Sequence, residues 1–327
     1  MSLTRRATIA LPAALLAAGQ AARAQEPWPT RPVRIVVPFA AGGSTDVSTR
    51  MIAPKISEIL RQPVVVENRA GAGGTIGSDA VAKSPPDGSV FVMGTVSTHV
   101  LAVGLYRERL PYDPEKNFAP VAGTVLVPIC ITVHPKLGVS TLGELIALLK
   151  ANPGKYSYGT GGAGGSAHIA AVSFLNAIGA EAEHVPYRGT NPMMQDMLAG
   201  NVTICFDTPA IIASHHKSGT LRCLAVATAQ KSALMPDVPT TAEAGLPNYK
   251  AYSWFGLFAP AGTPEPVITK MNAAVRAAVL EAPTKAKLVE LEMPPLETES
   301  PADFGRFLHN ELALWVPLVR ASGATAD

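Results

Sequence analysis

The chain of 327 residues is poor in cysteine, in charge and in long apolar runs. Its three cysteines, Cys130, Cys205 and Cys223, form no CxxC pair, and its seven histidines are scattered, which argues against a Cys/His zinc site. Each cysteine sits in an apolar, strand-like run such as Val127-Pro-Ile-Cys-Ile-Thr-Val133. With an odd number of them, buried free thiols are expected ahead of a disulfide. No GxSxG elbow occurs, and Ser166 and His168, two residues apart at a helix start, point in different directions, so no nucleophile–base pair is expected there. Charged residues make up 16% of the chain, without a dense Lys/Arg run, so neither nucleic acid nor an anionic membrane surface is indicated as a partner. What is present is a 47% hydrophobic composition, enough for a substantial core in two domains or one large one.

The N-terminus reads as an export signal. Arg5 and Arg6 precede an apolar run from Ala7 to about Ala18, and Ala22-Arg23-Ala24 supplies the small-x-small pattern of a cleavage site. The run is shorter than the roughly 20 apolar residues a membrane-spanning helix needs. Residues 1–24 are therefore expected to be a signal peptide, with the mature chain beginning at Gln25 in the periplasm. The paired arginines admit a twin-arginine signal as well as the general secretory route. Removing the segment takes away three arginines and no acid, so the formal charge falls from +2 to −1.

Glycine is crowded into two loops, Pro38-Phe-Ala-Ala-Gly-Gly-Ser-Thr-Asp46 and Tyr158-Gly-Thr-Gly-Gly-Ala-Gly-Gly-Ser-Ala-His168. Each lies between a strand-like and a helix-like stretch, where bare backbone N–H groups at a positive helix end can hold an anion. The surrounding rhythm is strand, loop, helix. Strand Arg34–Phe39 is followed by a helix from Val47 to Leu60, capped by Ser44 or Thr45 and kinked at Pro54. Strand Pro63–Glu67, a glycine loop, a short helix to Lys83 and strand Ser89–Met93 come next. The pattern begins again near Leu126, with a strand through Ile131 and a Thr141/Glu144 capping box. After Ser253–Phe258 the chain turns helical. Two α/β halves with mostly parallel sheets are expected.

Several motifs offer competing chemistry. Gly159, Gly161 and Gly164 match the GxGxxG dinucleotide fingerprint, with Glu183 about 20 residues on, so an NAD-dependent enzyme is one alternative. The preceding strand is short and half polar, and an exported protein lies outside the cytoplasmic NAD pool. His215-His216 could form a metal pair, but a polar turn with Lys217 and Gly219 favours two solvated histidines. Asp207 ends a strand on the side where such sheets bind ligands, and either ligand contact or capping of the next turn suits it.

The segments Arg34-Ile-Val-Val-Pro-Phe-Ala-Ala-Gly-Gly-Ser-Thr-Asp46, Gln62-Pro-Val-Val-Val-Glu-Asn-Arg-Ala-Gly-Ala-Gly-Gly-Thr-Ile-Gly77, Leu110-Pro-Tyr-Asp-Pro114, Val185-Pro-Tyr-Arg-Gly189 and Pro236-Asp-Val-Pro-Thr240 strongly resemble the Bug family of periplasmic solute receptors of tripartite tricarboxylate transporters. The resemblance covers nearly the whole mature chain. It implies an α/β, two-lobed Venus-flytrap binding protein, type II-like, with two inter-lobe crossings. Lobe 1 would comprise 25–125 plus 250–327 and lobe 2 126–249. It further implies a monomer that is no enzyme, uses no cofactor and no metal, and captures a small carboxylate for a membrane transporter or presents it to a membrane sensor. The family's ligand contacts map here onto Phe39, Gly42, Gly43, Ser44, Thr45, Asp46, Thr95, Ser97 and Thr98 in the first lobe, and onto Gly165, Ser166, His168, Arg188, Thr190 and Asp207 in the second. Ser97-Thr-His-Val100 and Val202-Thr-Ile-Cys-Phe206 depart from the family pattern, which leaves ligand identity open.

Overall fold

The computed structural model describes residues 28–187 and 189–321, so the expected signal peptide and Arg188 lie outside the described residues. Among these, ten strands form two five-stranded sheets. The first sheet contains β1 (Val33–Val37), β2 (Val64–Asn68), β3 (Val90–Thr95), β4 (Phe118–Pro128) and β10 (Tyr252–Pro260), in the order β2-β1-β3-β10-β4. The second contains β5 (Cys130–Val133), β6 (Ser157–Thr160), β7 (Glu183–Pro186), β8 (Ile204–Asp207) and β9 (Arg222–Val226), in the order β7-β6-β8-β5-β9. In each sheet three neighbouring strands run parallel and the remaining pairings are antiparallel. The β-branched run Val33–Val37 suits a central strand, with Val33, Ile35 and Val37 in the core and Arg34 outside.

The helices α1 (Ser44–Leu60), α2 (Thr75–Ala82), α3 (Ala102–Tyr106), α4 (Leu142–Ala151), α5 (Ser166–Ile178), α6 (Thr190–Ala199), α7 (Pro209–Ser218), α8 (Glu265–Leu280), α9 (Ala282–Glu290) and α10 (Pro301–Ala321) cover the sheets. Thr141 caps α4 as its spacing predicts, accepting from the Glu144 amide at 3.2 Å, and Glu144 returns a bond to the Ser140 amide at 2.6 Å. Helix α1 continues through Pro54, with Ile52, Ile56 and Leu60 of its apolar face in the core. Two expectations need correction. The strand expected near Leu126–Ile131 is two strands: β4 extends back to Phe118 in the first sheet, and β5 begins the second. Prolines at 120 and 128 and Gly123 disguise β4, and its place at a sheet edge is what tolerates them. His215 and His216 lie in the last turn of α7, not in a loop.

The chain passes between the sheets twice, at Ile129 and at Ala251, and the two passages are bonded to each other. Ile129 N–H donates to Ala251 C=O at 3.2 Å, Ala251 N–H to Ala227 C=O at 2.8 Å, and Ala227 N–H to Ile129 C=O at 2.9 Å. All three residues are buried.

The chain returns to the first lobe with β10; α8 packs on α1 and β4, and α10 packs over β4 and α3. Its anchor is Glu311, 4% exposed, whose Oε1 accepts from Tyr252 Oη at 2.9 Å while Oε2 accepts from Trp254 Nε1 at 2.8 Å and Trp315 Nε1 at 3.1 Å. Burial pushes its carboxyl above the usual glutamate range, although all three donors oppose that shift. Glu311→Ala would strand two buried indole N–H groups and a tyrosine hydroxyl, at about 1–3 kcal/mol for each group left unsatisfied. Urea unfolding should accordingly show a loss of at least about 2 kcal/mol; a loss below about 0.5 kcal/mol would remove Glu311 from this role.

Candidate ligand-binding site

The first glycine loop joins β1 to α1. Gly42 takes φ +83°, a left-handed conformation that favours glycine, and Gly43 is the helix N-cap at φ −73°, ψ 165°. The cap is thus backbone, not the Ser44 or Thr45 side chain. The first helical bond runs from Val47 N–H to Gly43 C=O at 2.9 Å, so the amides of Ser44, Thr45 and Asp46 have no acceptor among the described residues. The Ser44 side chain is exposed and its hydroxyl is likewise unengaged among them. Asp46 is turned inward, 3% exposed. Its Oδ2 accepts from Gly42 N–H, and its Oδ1 from Arg50 Nε and Asn68 Nδ2, all at 2.9 Å. Burial would raise its carboxyl, but the bonds from Arg50, Gly42 and Asn68 outweigh it and hold the group below the usual aspartate range. Asn68 Nδ2 also donates to Phe39 C=O at 3.1 Å, tying the end of β2 to the loop.

The loops that follow β2 and β3 reach the same place. A Cβ on Gly74, which sits at φ +92°, would lie 2.6 Å from Thr98 Cγ2 and 3.0 Å from Phe39 Cζ. Thr95 and Thr98 are buried and bonded to each other: Thr95 N–H donates to Thr98 Oγ1 at 3.0 Å and Thr98 N–H to Thr95 Oγ1 at 3.3 Å. Their hydroxyls build the turn, and Ser97 between them is half-buried. His99, which sequence reasoning passed over, is fully buried and stacks on Phe258 at 4.0 Å. Burial drives its pKa down to about 3, so it is a neutral ring in the wall.

The second lobe repeats the first. Gly164 takes φ +73°, Gly165 is the N-cap of α5 at φ −70°, ψ 166°, and the first helical bond is Ile169 N–H to Gly165 C=O at 3.1 Å. The amides of Ser166, Ala167 and His168 and the Ser166 hydroxyl have no acceptor or partner among the described residues. His168 occupies the place of Asp46, its Nδ1 accepting from Gly164 N–H at 2.9 Å. Thr190 heads α6 against this loop, with Gly189 N–H donating to Gly161 C=O at 3.0 Å. Asp207 closes β8, 8% exposed, and accepts from Thr208 N–H at 2.7 Å. Burial raises its carboxyl to about 6, against the bonds from Thr208 and Thr190. Each lobe therefore directs three helix or turn starts toward the C-terminal ends of its parallel strands, the usual binding edge of α/β sheets. The lobes meet where a Cβ on Gly164 would fall 2.4 Å from Leu105 Cδ1.

The competing motifs fare differently. Glu183 pairs with Ser157 at the start of β6 and β7, three residues before Thr160, so it stands about 10 Å from the glycine loop at the opposite end of the strands. A dinucleotide fingerprint needs its acid at the loop end. His216 bonds Asp237 at 3.0 Å and accepts from Cys223 N–H at 3.2 Å, and no metal-holding cluster occurs among the described residues. The three thiols are free and buried.

Two α/β lobes joined by paired crossings, with opposed sets of open helix starts, define a two-lobed periplasmic binding protein. The family model "Tripartite tricarboxylate transporter family receptor" matches residues 48–324, and the chain belongs to that family. Protein BugT of Bordetella pertussis is 37% identical over 299 residues, 91% of each chain. Among solved structures, R. palustris Rpa4515 with adipate is 36% identical, with a TM-score of 0.79, covering 91% of this chain and 99% of that one. MatC of Rhodopseudomonas palustris with bound malate is 32% identical, with a TM-score of 0.75, covering 89% and 100%. No helix among the described residues is long and apolar enough to cross a membrane.

Asp46 makes the first loop testable without any ligand. Its pKa is depressed in the folded chain, so its contribution is present above the ordinary aspartate value and is lost as pH falls through the lower folded value. Asp46→Ala should cost about 2–3 kcal/mol at pH 7. In thermal melts that cost should shrink below pH 4; a pH-independent cost would detach it from ionisation.

Proposed function

We propose that the protein is a periplasmic receptor that closes its two glycine turns on one small carboxylate and delivers it to the membrane components of a tripartite transporter. The observation that carries this reading is the matched pair of turns Gly42-Gly43-Ser44 and Gly164-Gly165-Ser166, each offering unpaired amides and a free hydroxyl at a helix start. A carboxylate oxygen placed there gains charge-assisted hydrogen bonds and the favourable end of the helix dipole. Malate and adipate in the two similar structures point to a compact mono- or dicarboxylic acid as the ligand class. In this reading Ser44, Thr45, Ser166 and Thr190 touch the solute, Phe39 and Ser97 line the first wall, and Gly43 and Gly165 allow close approach. Asp46, Thr95 and Thr98 shape the turns behind them, and Asp207 and Arg188 set which solute is accepted. Among the described residues no nucleophile–base pair occurs at these turns, which favours capture over catalysis.

Export belongs to the same proposal, through cleavage after Ala24. Mass spectrometry of the periplasmic species should give a mature chain beginning at Gln25; a species retaining Arg5 and Arg6 would overturn it.

The binding reading is checked by thermal shift against C4 to C6 carboxylates. A ligand at 100 times its Kd should add about 2.7 kcal/mol of apparent stability. Ser44→Ala and Ser166→Ala should each weaken binding several-fold to tenfold, on the order of 1 kcal/mol per lost hydrogen bond, with the unliganded melt unchanged. X-ray scattering should show a smaller radius of gyration on binding. Normal binding by Ser166→Ala, with a constant radius, would place the solute on one lobe alone.

A further inference from the structure

The two turns have the same backbone but not the same lock. Gly42-Gly43-Ser44-Thr45-Asp46 and Gly164-Gly165-Ser166-Ala167-His168 share a left-handed glycine, an extended N-cap glycine and an N1 serine. In each, the side chain four residues after the left-handed glycine accepts that glycine's amide at 2.9 Å. In the first lobe the acceptor is a carboxylate bonded also to Arg50 and Asn68. In the second it is an imidazole nitrogen, which accepts only while it carries no proton.

We propose that His168 is a positioning residue of the ligand site: its uncharged imidazole, with the proton on Nε2 and the lone pair on Nδ1, holds the second glycine turn in binding form as Asp46 holds the first. This rests on the reading that both turns grip the solute. The lobe 1 turn is then fixed at any pH at which Asp46 is ionised, and the lobe 2 turn only while His168 is neutral.

The neighbourhood of His168 supports the neutral form. The ring lies face to face with His184 at 3.8 Å and 8°, and Tyr158 lies beside both, 5.0 Å from His184 and 6.4 Å from His168. His184 Nε2 is hydrogen-bonded to Thr160 Oγ1 at 2.7 Å, and that oxygen lies 3.1 Å from Gly162 C=O. The stacked pair therefore braces both halves of the loop, His184 through Thr160 to Gly162 and His168 directly at Gly164. The titratable groups packed against it are His184 from β7 and Tyr158 from β6, and the charge that acts on it is that of His184. No ion pair to His168 occurs among the described residues. Burial first, and His184 second, lower its pKa from 6.5 to about 4, and burial lowers that of His184. A histidine with a depressed folded pKa contributes stability that is complete above its unfolded value and lost as pH falls toward the folded one, here between about 6.5 and 4.

The experiment has a ligand-free arm and a binding arm on the full mature chain. Nitrogen-15 NMR of the unliganded protein at pH 7.5 should show His168 with Nδ1 unprotonated and Nε2 protonated. Amide exchange at Gly164 should be slow in wild type, fast in His168→Leu and slow again in His168→Asn, whose side-chain oxygen can accept as Asp46 does. A protonated Nδ1, or Gly164 exchange that is the same in all three, overturns the proposal whether or not a ligand is known. With a dicarboxylate such as malate, His168→Leu should bind about tenfold more weakly at pH 7.5, and His168→Asn within about threefold of wild type. As pH drops, wild type should lose affinity relative to His168→Asn, by about fourfold at pH 3.5 if the folded pKa is about 4. Equal profiles for the two proteins overturn the pH dependence. If wild type binds no carboxylate at any pH while the NMR results hold, the receptor reading fails and the role of His168 in the turn stands.

Discussion

The architecture depends on the closed run of three backbone hydrogen bonds among Ile129, Ala251 and Ala227. Two strands that cross between sheets as separate tethers would let the lobes twist as well as bend. Bonded side by side and buried, they form one short ribbon, and motion is confined to bending about it. The ribbon is buried and fully paired, so its bonds are shielded from exchange with water. Near it, Glu292 of the first lobe accepts from Ser232 Oγ and Leu234 N–H of the second, both at 2.8 Å, which extends the junction along one side.

With the hinge fixing direction, the glycine turns can be simple. In the proposed reading anion capture draws on amides at helix starts and hydroxyls, while Asp46 is engaged inside the first turn. Its carboxylate is paired with Arg50 and hydrogen-bonded by Asn68, which weakens its repulsion of an incoming anion. Dipoles fixed by backbone geometry need no reorganisation on binding, and in the proposed reading they leave discrimination to a few side chains, Thr190 and Asp207 among them.

Much of this was legible in the chain, for identifiable reasons. The glycine turns announce themselves because left-handed backbone and tight N-caps demand glycine, as at Gly42 and Gly164. The Thr141/Glu144 box, the central strands and the free thiols followed from patterns that act locally. What was hidden is what long-range pairing decides. Strand β4 carries Pro120, Gly123 and Pro128, which read as breakers, and only its edge position beside β10 makes it a strand. Glu311 and Glu292 take bonds from partners 57 or more residues away, such as Trp254 for Glu311, and His99 stacks on Phe258, so no local pattern announces their burial. The correspondence of Asp46 and His168 was spelled out in the sequence as Gly-Gly-Ser-x-Asp and Gly-Gly-Ser-x-His, yet both read as ligand contacts. That the side chains fold back onto their own glycines is visible only in the geometry.

Gly164 shows how the lobes are allowed to meet. Its φ of +73° already favours glycine, and any Cβ there would strike Leu105 at 2.4 Å, so one residue satisfies a turn and a lobe contact together. Ile169, one turn into α5, joins the apolar cluster of Leu105, Trp315 and Val319, which puts α10 of the first lobe against α5 of the second. This contact is apolar and needs no solute, so it favours closure in the empty protein too. A ligand shifts the balance only by the bonds it makes to both turns at once. The strength of the signal a transporter reads is therefore set by how little the apolar contact contributes and how much the two serine turns do. Shortening Leu105, whose Cδ1 faces Gly164, would reduce the first term while leaving the backbone that supplies the second unchanged.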